Sequence, residues 1–187
     1  LLFTVAGAAQ IIAISVAKDM TGGIIARFKT MPIWRPAVLA GHVVSSLLLT
    51  LISLAVTIAL ALLIGYHAAA GPLGWLAALG ILVLLAVALI WLSVALGLFA
   101  KSVQTASNIP MFLTLLPFLG SAFVPVASMP AGLRWFAENQ PFTPITNTVR
   151  SLLANQHVGS AGAKAIVWCF AITAASYLWA RYLYDRR

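Results

Sequence analysis

The chain has 187 residues, of which 63% are hydrophobic and only 7% charged, whereas soluble domains carry roughly 25% charged residues. That excess of apolar surface has to face lipid, which excludes a soluble globular domain. Eleven basic residues against three acidic ones give a formal net charge of +8. In a soluble protein this balance would suggest nucleic acid, but here the basic residues lie between and beside apolar runs, where they meet lipid headgroups and set orientation.

A helix needs about 20 apolar residues, at about 1.5 Å each, to cross a bilayer core of about 30 Å. Five stretches qualify or nearly do, and they predict an all-α, polytopic transmembrane bundle occupying residues 1–187 as one domain. The first, residues 1–17, opens on Leu1-Leu2-Phe3-Thr4 inside an apolar run, without an initiator Met or a signal-peptide pattern. It is read as the continuation of a longer chain. Small residues at helical spacing, such as Ala9, Ala13 and Ala17, or Ala55 and Ala59, predict close helix contact.

The connection 18–36 follows. From Met20, apolar residues recur at Ile24, Phe28 and Met31, a helical stripe with Arg27 and Lys29 off it and Pro32 as a stop. The pattern predicts a short amphipathic helix on the membrane surface, serving either as an anchor between two spans or as a docking element for a cytoplasmic partner. Ile33-Trp34-Arg35-Pro36 then leads through a constrained turn into the second span, 43–64. The third, 75–100, is long and expected to tilt. The fourth, 109–127, contains Pro110, Pro117 and Pro125, so a kink or break is expected.

The next connection, 128–160, is punctuated by Pro130, Pro141 and Pro144. It leaves room for short helices near 133–137 and 145–154, with Trp135 and Phe136 as interfacial anchors. Broken helices of this kind suit a re-entrant element, and an ordinary interfacial loop is the alternative. Arg134 and Glu138 stand four residues apart, the spacing of a helical pair. The last span, 161–183, needs Lys164 and Arg181 to snorkel toward opposite interfaces.

If five spans alternate, Lys18, Arg27, Lys29, Arg35, Lys101, Arg181, Arg186 and Arg187 fall on one side, and Arg134, Arg150 and Lys164 on the other. The basic side is expected in the cytoplasm, together with the C-terminal tail.

Most chemistry-bearing patterns are missing. No GxxxxGK[ST] run exists to hold ATP. His42, His67 and His157 are far apart without metal-ligand partners, and Asp19, Glu138 and Asp185 fall in three separate connections. Cys169 is the single cysteine, so no intrachain disulfide is possible. No span contains an acid, which counts against a proton relay. The expectation is a chain that catalyses nothing and binds no cofactor or metal itself.

Two connections together carry a family likeness. The run Asp19…Gly23…Arg27-Phe28-Lys29-Thr30-Met31-Pro32-Ile33…Arg35…Gly41 resembles the first cytoplasmic loop of ABC type-2 exporter permeases, especially the daunorubicin-resistance-like group. The run Phe123-Val124-Pro125…Met129-Pro130…Leu133…Phe136-Ala137…Asn139…Pro141…Thr143-Pro144…Arg150…Leu153 resembles that family's segment before its last span. The family usually has Asn-Pro where this chain reads Asn139-Gln140-Pro141.

The resemblance implies a six-span permease in the plasma membrane whose first span precedes this sequence. It implies that residues 18–32 contain a coupling helix seated on a separate ATPase subunit, which holds ATP and Mg. Asp19, Gly23, Ile24, Arg27, Phe28, Lys29, Met31 and Pro32 would form that contact. It further implies a pair of permease chains, read as a homodimer, exporting an amphipathic drug, lipid or glycan. Pro125, Pro130, Arg134, Trp135, Glu138, Pro141 and Arg150 would then form an external gate. Membrane lipids are expected partners and nucleic acid is not. The alternatives are a non-transporting scaffold subunit and a membrane-embedded enzyme; the latter would need a cluster of titratable groups at one depth.

Overall fold

Prolines and glycines set the ends of most helices. In the computed structural model, which describes residues 1–21, 36–66, 68–100, 102–118, 120 and 130–186, seven α-helices are present among the described residues. They are α1 Leu2–Thr21, α2 Pro36–Leu63, α3 Pro72–Phe99, α4 Val103–Leu115, α5 Ala131–Asn139, α6 Phe142–Leu153 and α7 Gly159–Arg186. Pro36 and Pro72 each open a helix, where the missing N–H costs nothing and the fixed φ already suits the helix. α2 ends where Gly65 adopts φ +93°, with Tyr66 N–H donating to the Ala61 carbonyl and Gly65 N–H to that of Leu62. α6 ends in the same way on Asn155, at φ 53°.

Two helices start well before the spans predicted for them. α2 begins at Pro36 rather than residue 43, and α4 at Val103 rather than 109. Ser102 caps α4, its Oγ accepting from Thr105 N–H at 3.2 Å, so the polar run Gln104–Asn108 is drawn into the helix. α4 continues through Pro110 and ends at Leu115, with Leu116, directly before Pro117, still at φ −57° and ψ −41°.

Among the described residues three helical segments are long and apolar enough to cross a membrane, Gly41–Leu63, Pro72–Phe99 and Gly159–Leu183, while Leu2–Lys18 is apolar but shorter. The protein is a helical membrane bundle. α3 is its hub and packs against α1, α2, α4, α6 and α7, most extensively against α7 and α1. Neighbouring residues give the directions. Phe3 meets Phe118 edge-on at 4.3 Å and Gln10 reaches Ser107, so α1 and α4 are antiparallel. Thr4 pairs with Thr57 and Ser15 shares a cleft with His42, so α1 and α2 are antiparallel as well.

The core divides by depth. One apolar cluster joins Val5, Leu54, Leu82, Phe142, Ile145 and Cys169 at the end that carries α6. Another joins Ile12, Val16, Ile90, Val94, Leu98 and Ala180 toward the opposite end. α1 and α3 meet closely because Ala9, Ala13 and Ala17 are all buried and Gly97 lies beneath them. A Cβ at Gly97 would come within 2.9 Å of both the Ala13 carbonyl oxygen and Val16 Cβ. Ala55 and Ala59, by contrast, face outward, so only the first of the two small-residue series forms an intrachain contact.

Candidate functional site

At the end of the bundle where α1 begins, α5 and α6 form a two-helix cap. Gln140 and Pro141 make the break between them; Pro141, with no amide N–H, precedes the first turn of α6. Pro144 falls within that first turn, where its lack of a donor is harmless, so α6 starts at Phe142 rather than after the proline. Nearly every residue of α6 from Phe142 to Val149 is buried, and the helix packs against α3 and α7. Its hydroxyls bond to its own backbone: Thr146 Oγ1 donates to the Phe142 carbonyl and Thr148 Oγ1 to that of Pro144, each at 2.7 Å. Such bonds let threonines sit in an apolar packing without orphaned donors.

α5 is different. Arg134, Trp135, Phe136 and Glu138 are exposed, Trp135 at 69%, while Ala137 is buried. An exposed aromatic pair beside charged residues suits the membrane–water interface. Among the residues predicted for an external gate, Arg134, Trp135 and Glu138 therefore share α5. Pro130 caps that helix, Pro141 breaks it from α6, and Arg150 is exposed near the far end of α6. Pro125 lies outside the described residues. The structure thus distributes these positions over two helices and does not converge them on one point.

Gln140, the extra residue of the Asn139-Gln140-Pro141 run, is only 4% exposed. Its Nε2 donates to Thr143 Oγ1 at 3.5 Å, while among the described residues Oε1 has no hydrogen-bond partner. A Cβ at Gly120 would lie 2.5 Å from this Nε2, so the amide occupies space that only glycine leaves open.

Two clefts with polar linings are found among the described residues. Between α5, α6 and α7 a cleft of about 450 Å³ is lined by Glu138, Thr143, Pro144, Asn147, Ser160 and Lys164. Between α1 and α2 a smaller one of about 190 Å³ is lined by Ser15, His42, Ser45, Ser46, Thr50 and Ser53 among apolar residues. His42, Ser46, Thr50, Ser53 and Thr57 recur every third or fourth residue, which makes one polar seam along an otherwise lipid-like helix. Thr50 and Thr57 donate to the carbonyls four residues earlier, and Thr57 also meets Thr4 across the helices at 3.2 Å. Thr50, which lines the cleft, keeps acceptor capacity toward it. Sequence reasoning missed this seam, as it missed Thr143, Asn147 and Ser160. The available signal was the spacing of three or four residues between polar groups in an apolar helix.

Of the residues predicted to couple to an ATPase, Gly23, Ile24, Arg27, Phe28, Lys29, Met31 and Pro32 lie outside the described residues, and Asp19 falls in the last turn of α1. Among the described residues no three His, Cys, Asp or Glu side chains come together.

Comparison with known proteins bears on what such a bundle is. The family model of ABC-2 type transporters matches residues 1–154, which reach from α1 to the end of α6. The daunorubicin resistance ABC transporter permease protein DrrB1 of Streptomyces coeruleorubidus is 31% identical over 140 residues, covering 74% of this chain and 50% of that protein. The chain thus spans about half the length of this curated relative. No solved structure matches it.

Proposed function

Since this chain belongs to the ABC-2 type transporter family, we propose that it is the membrane-spanning permease subunit of an ATP-driven exporter in the plasma membrane. The observation that carries this reading is the family match, which runs through every helix up to α6. In this reading ATP and Mg belong to a separate ATPase subunit, and residues 18–32 seat the permease on it. Ile24, Ile25 and Phe28 enter its apolar groove, while Arg27 and Lys29 meet its acids. The segment joins α1 to α2, which flank the seamed cleft, so a push on it acts directly on that helix pair. Two permease chains pair, as a homodimer, with the path for cargo between them. The cargo class is an amphipathic drug, lipid or glycan, and the drug-resistance name of the relative favours the first.

Export then amounts to a population shift between inward- and outward-facing packings, biased at the docking segment. The alternation of helix directions places Lys18 and Arg181 at one end of the bundle and Lys164 at the other, in keeping with a cytoplasmic basic side and a cytoplasmic C-terminus. Co-purification tests the coupling. Phe28→Asp should lower the recovered ATPase by about tenfold, the effect of losing one buried apolar contact, while membrane insertion stays normal. An undiminished complex with normal cargo-stimulated ATP turnover would return the segment to a plain membrane anchor.

A further inference from the structure

The cleft between α5, α6 and α7 has opposite charges at its two sides. Lys164 stands on one side and Glu138 on the other, both exposed, and among the described residues neither has an ion-pair partner. The backbone repeats this polarity. The first turns of two helices, α6 at Thr143 and Pro144 and α7 at Ser160 and Ala161, border the cleft. Both helices exceed eight residues, and the cap residue of α6, Pro141, supplies no side-chain hydrogen bond. Helix N-termini carry partial positive charge, and since Pro144 brings no N–H the donors available to an anion are the α7 first turn, the Thr143 hydroxyl and Lys164. Glu138 lies in the last turn of α5, where the negative end of the helix reinforces its carboxylate and favours a cation. Thr143 contributes a hydroxyl whose oxygen already accepts from Gln140 Nε2, which leaves its own proton to donate.

We propose that this cleft binds the headgroup of phosphatidylethanolamine. The phosphate sits between Lys164 and the α6 and α7 first turns, and the primary ammonium donates hydrogen bonds to Glu138. The cleft, about 450 Å³, falls within the range of about 300–1,000 Å³ usual for small-molecule sites. It opens where the apolar segment Gly159–Leu183 begins, beside the exposed Trp135 and Phe136, which is headgroup depth. The lining also discriminates among headgroups. A quaternary ammonium has no N–H to give Glu138 and is ordinarily held by aromatic rings, and the lining residues include none. A glycerol headgroup has no cation at all. This inference rests on the membrane location and the geometry of the cleft, and is independent of cargo or ATPase.

The test uses the full chain purified in detergent and exchanged into mixtures of phosphatidylethanolamine, phosphatidylcholine and phosphatidylglycerol, with retained lipid counted by native mass spectrometry. Phosphatidylethanolamine should be retained about tenfold over the other two, the order of one charge-assisted hydrogen bond. Glu138→Gln should erase that preference, and Lys164→Gln should lower retention of all three lipids. Ser160→Asp is a variant that suits a helix N-terminus and so folds, yet repels phosphate; it should also lower all three. Equal retention of the three lipids by the unsubstituted chain, or a preference unchanged by Glu138→Gln, would overturn the proposal. So would binding of soluble phosphoethanolamine without retention of the phospholipid, which would make the ligand a free amine phosphate.

Discussion

At Gly97 and Gln140 single atoms decide how helices meet. The α1–α3 contact depends on the absence of a Cβ at Gly97, since the Ala13 carbonyl and Val16 would both be met at 2.9 Å. Gly97→Val should therefore destabilise the purified chain by about 1–3 kcal/mol, the usual cost of overpacking, and Gly97→Ala by less. A detergent melting curve checks both, and an unchanged midpoint for Gly97→Val would show that the helices separate without cost. Gln140 presents the opposite case. Its buried Oε1 lacks a partner among the described residues, a condition that costs roughly 1–3 kcal/mol, and its hydrogen bond to Thr143 is long. Gln140→Met keeps the volume and removes the orphan, so it should leave thermal stability equal or raised. A clear loss of stability would mean that the amide has a partner in the assembled membrane complex.

Among the elements, α5 and α6 differ in how firmly they are held. α6 is buried between α3 and α7, whereas α5 packs on α6 and presents its aromatic and charged side chains outward. If the cap is a gate, α5 is the part that moves, and the break at Gln140–Pro141 is its pivot. A cysteine pair at Trp135 and Phe123 should then change its cross-linking yield with nucleotide in the assembled transporter. A yield unaffected by ATP in a demonstrably active complex would leave α5 as an interfacial anchor. Glu138 has no ion-pair partner among the described residues, and even an exposed pair at its one-turn spacing from Arg134 would contribute only about 0.3–0.5 kcal/mol. Glu138→Gln should accordingly insert and fold nearly normally, even where it alters lipid retention or export.

For the whole molecule, the directions of α1 to α4 alternate, and α7 packs with α3 in the same sense, Ala165 sharing one apolar cluster with Ala78 and Ala180 the other with Leu98. The proposed orientation turns this into a labelling experiment. Cys169 is buried and is replaced by Ser, so that only introduced thiols report. Cysteines at Thr30 and Ser160 should then react with an impermeant maleimide from opposite sides of the membrane. Labelling of both from outside would overturn the topology.

Composition alone established a helical membrane protein, because so few charged residues leave no means of covering an apolar core with water-compatible surface. The apolar runs located the helices, and prolines and glycines located several of their ends, since both residue types act through local backbone geometry. Family membership was likewise legible in two short connections. Boundaries were less so: the stretches before residues 43 and 109 belong to helices because Pro36 and the Ser102 cap start them there. Packing was legible least of all. In lipid an apolar side chain gains little by choosing protein over bilayer, so α3, apolar on every face, carries no sequence mark of being the hub. The tertiary structure alone decided that Ala9 and Ala13 face inward while Ala55 and Ala59 do not, that Gln10 reaches Ser107, and that Glu138 and Lys164, carried on separate helices, border one cleft. These are contacts between distant parts of the chain, chosen by fit between helices, and no local pattern encodes that fit.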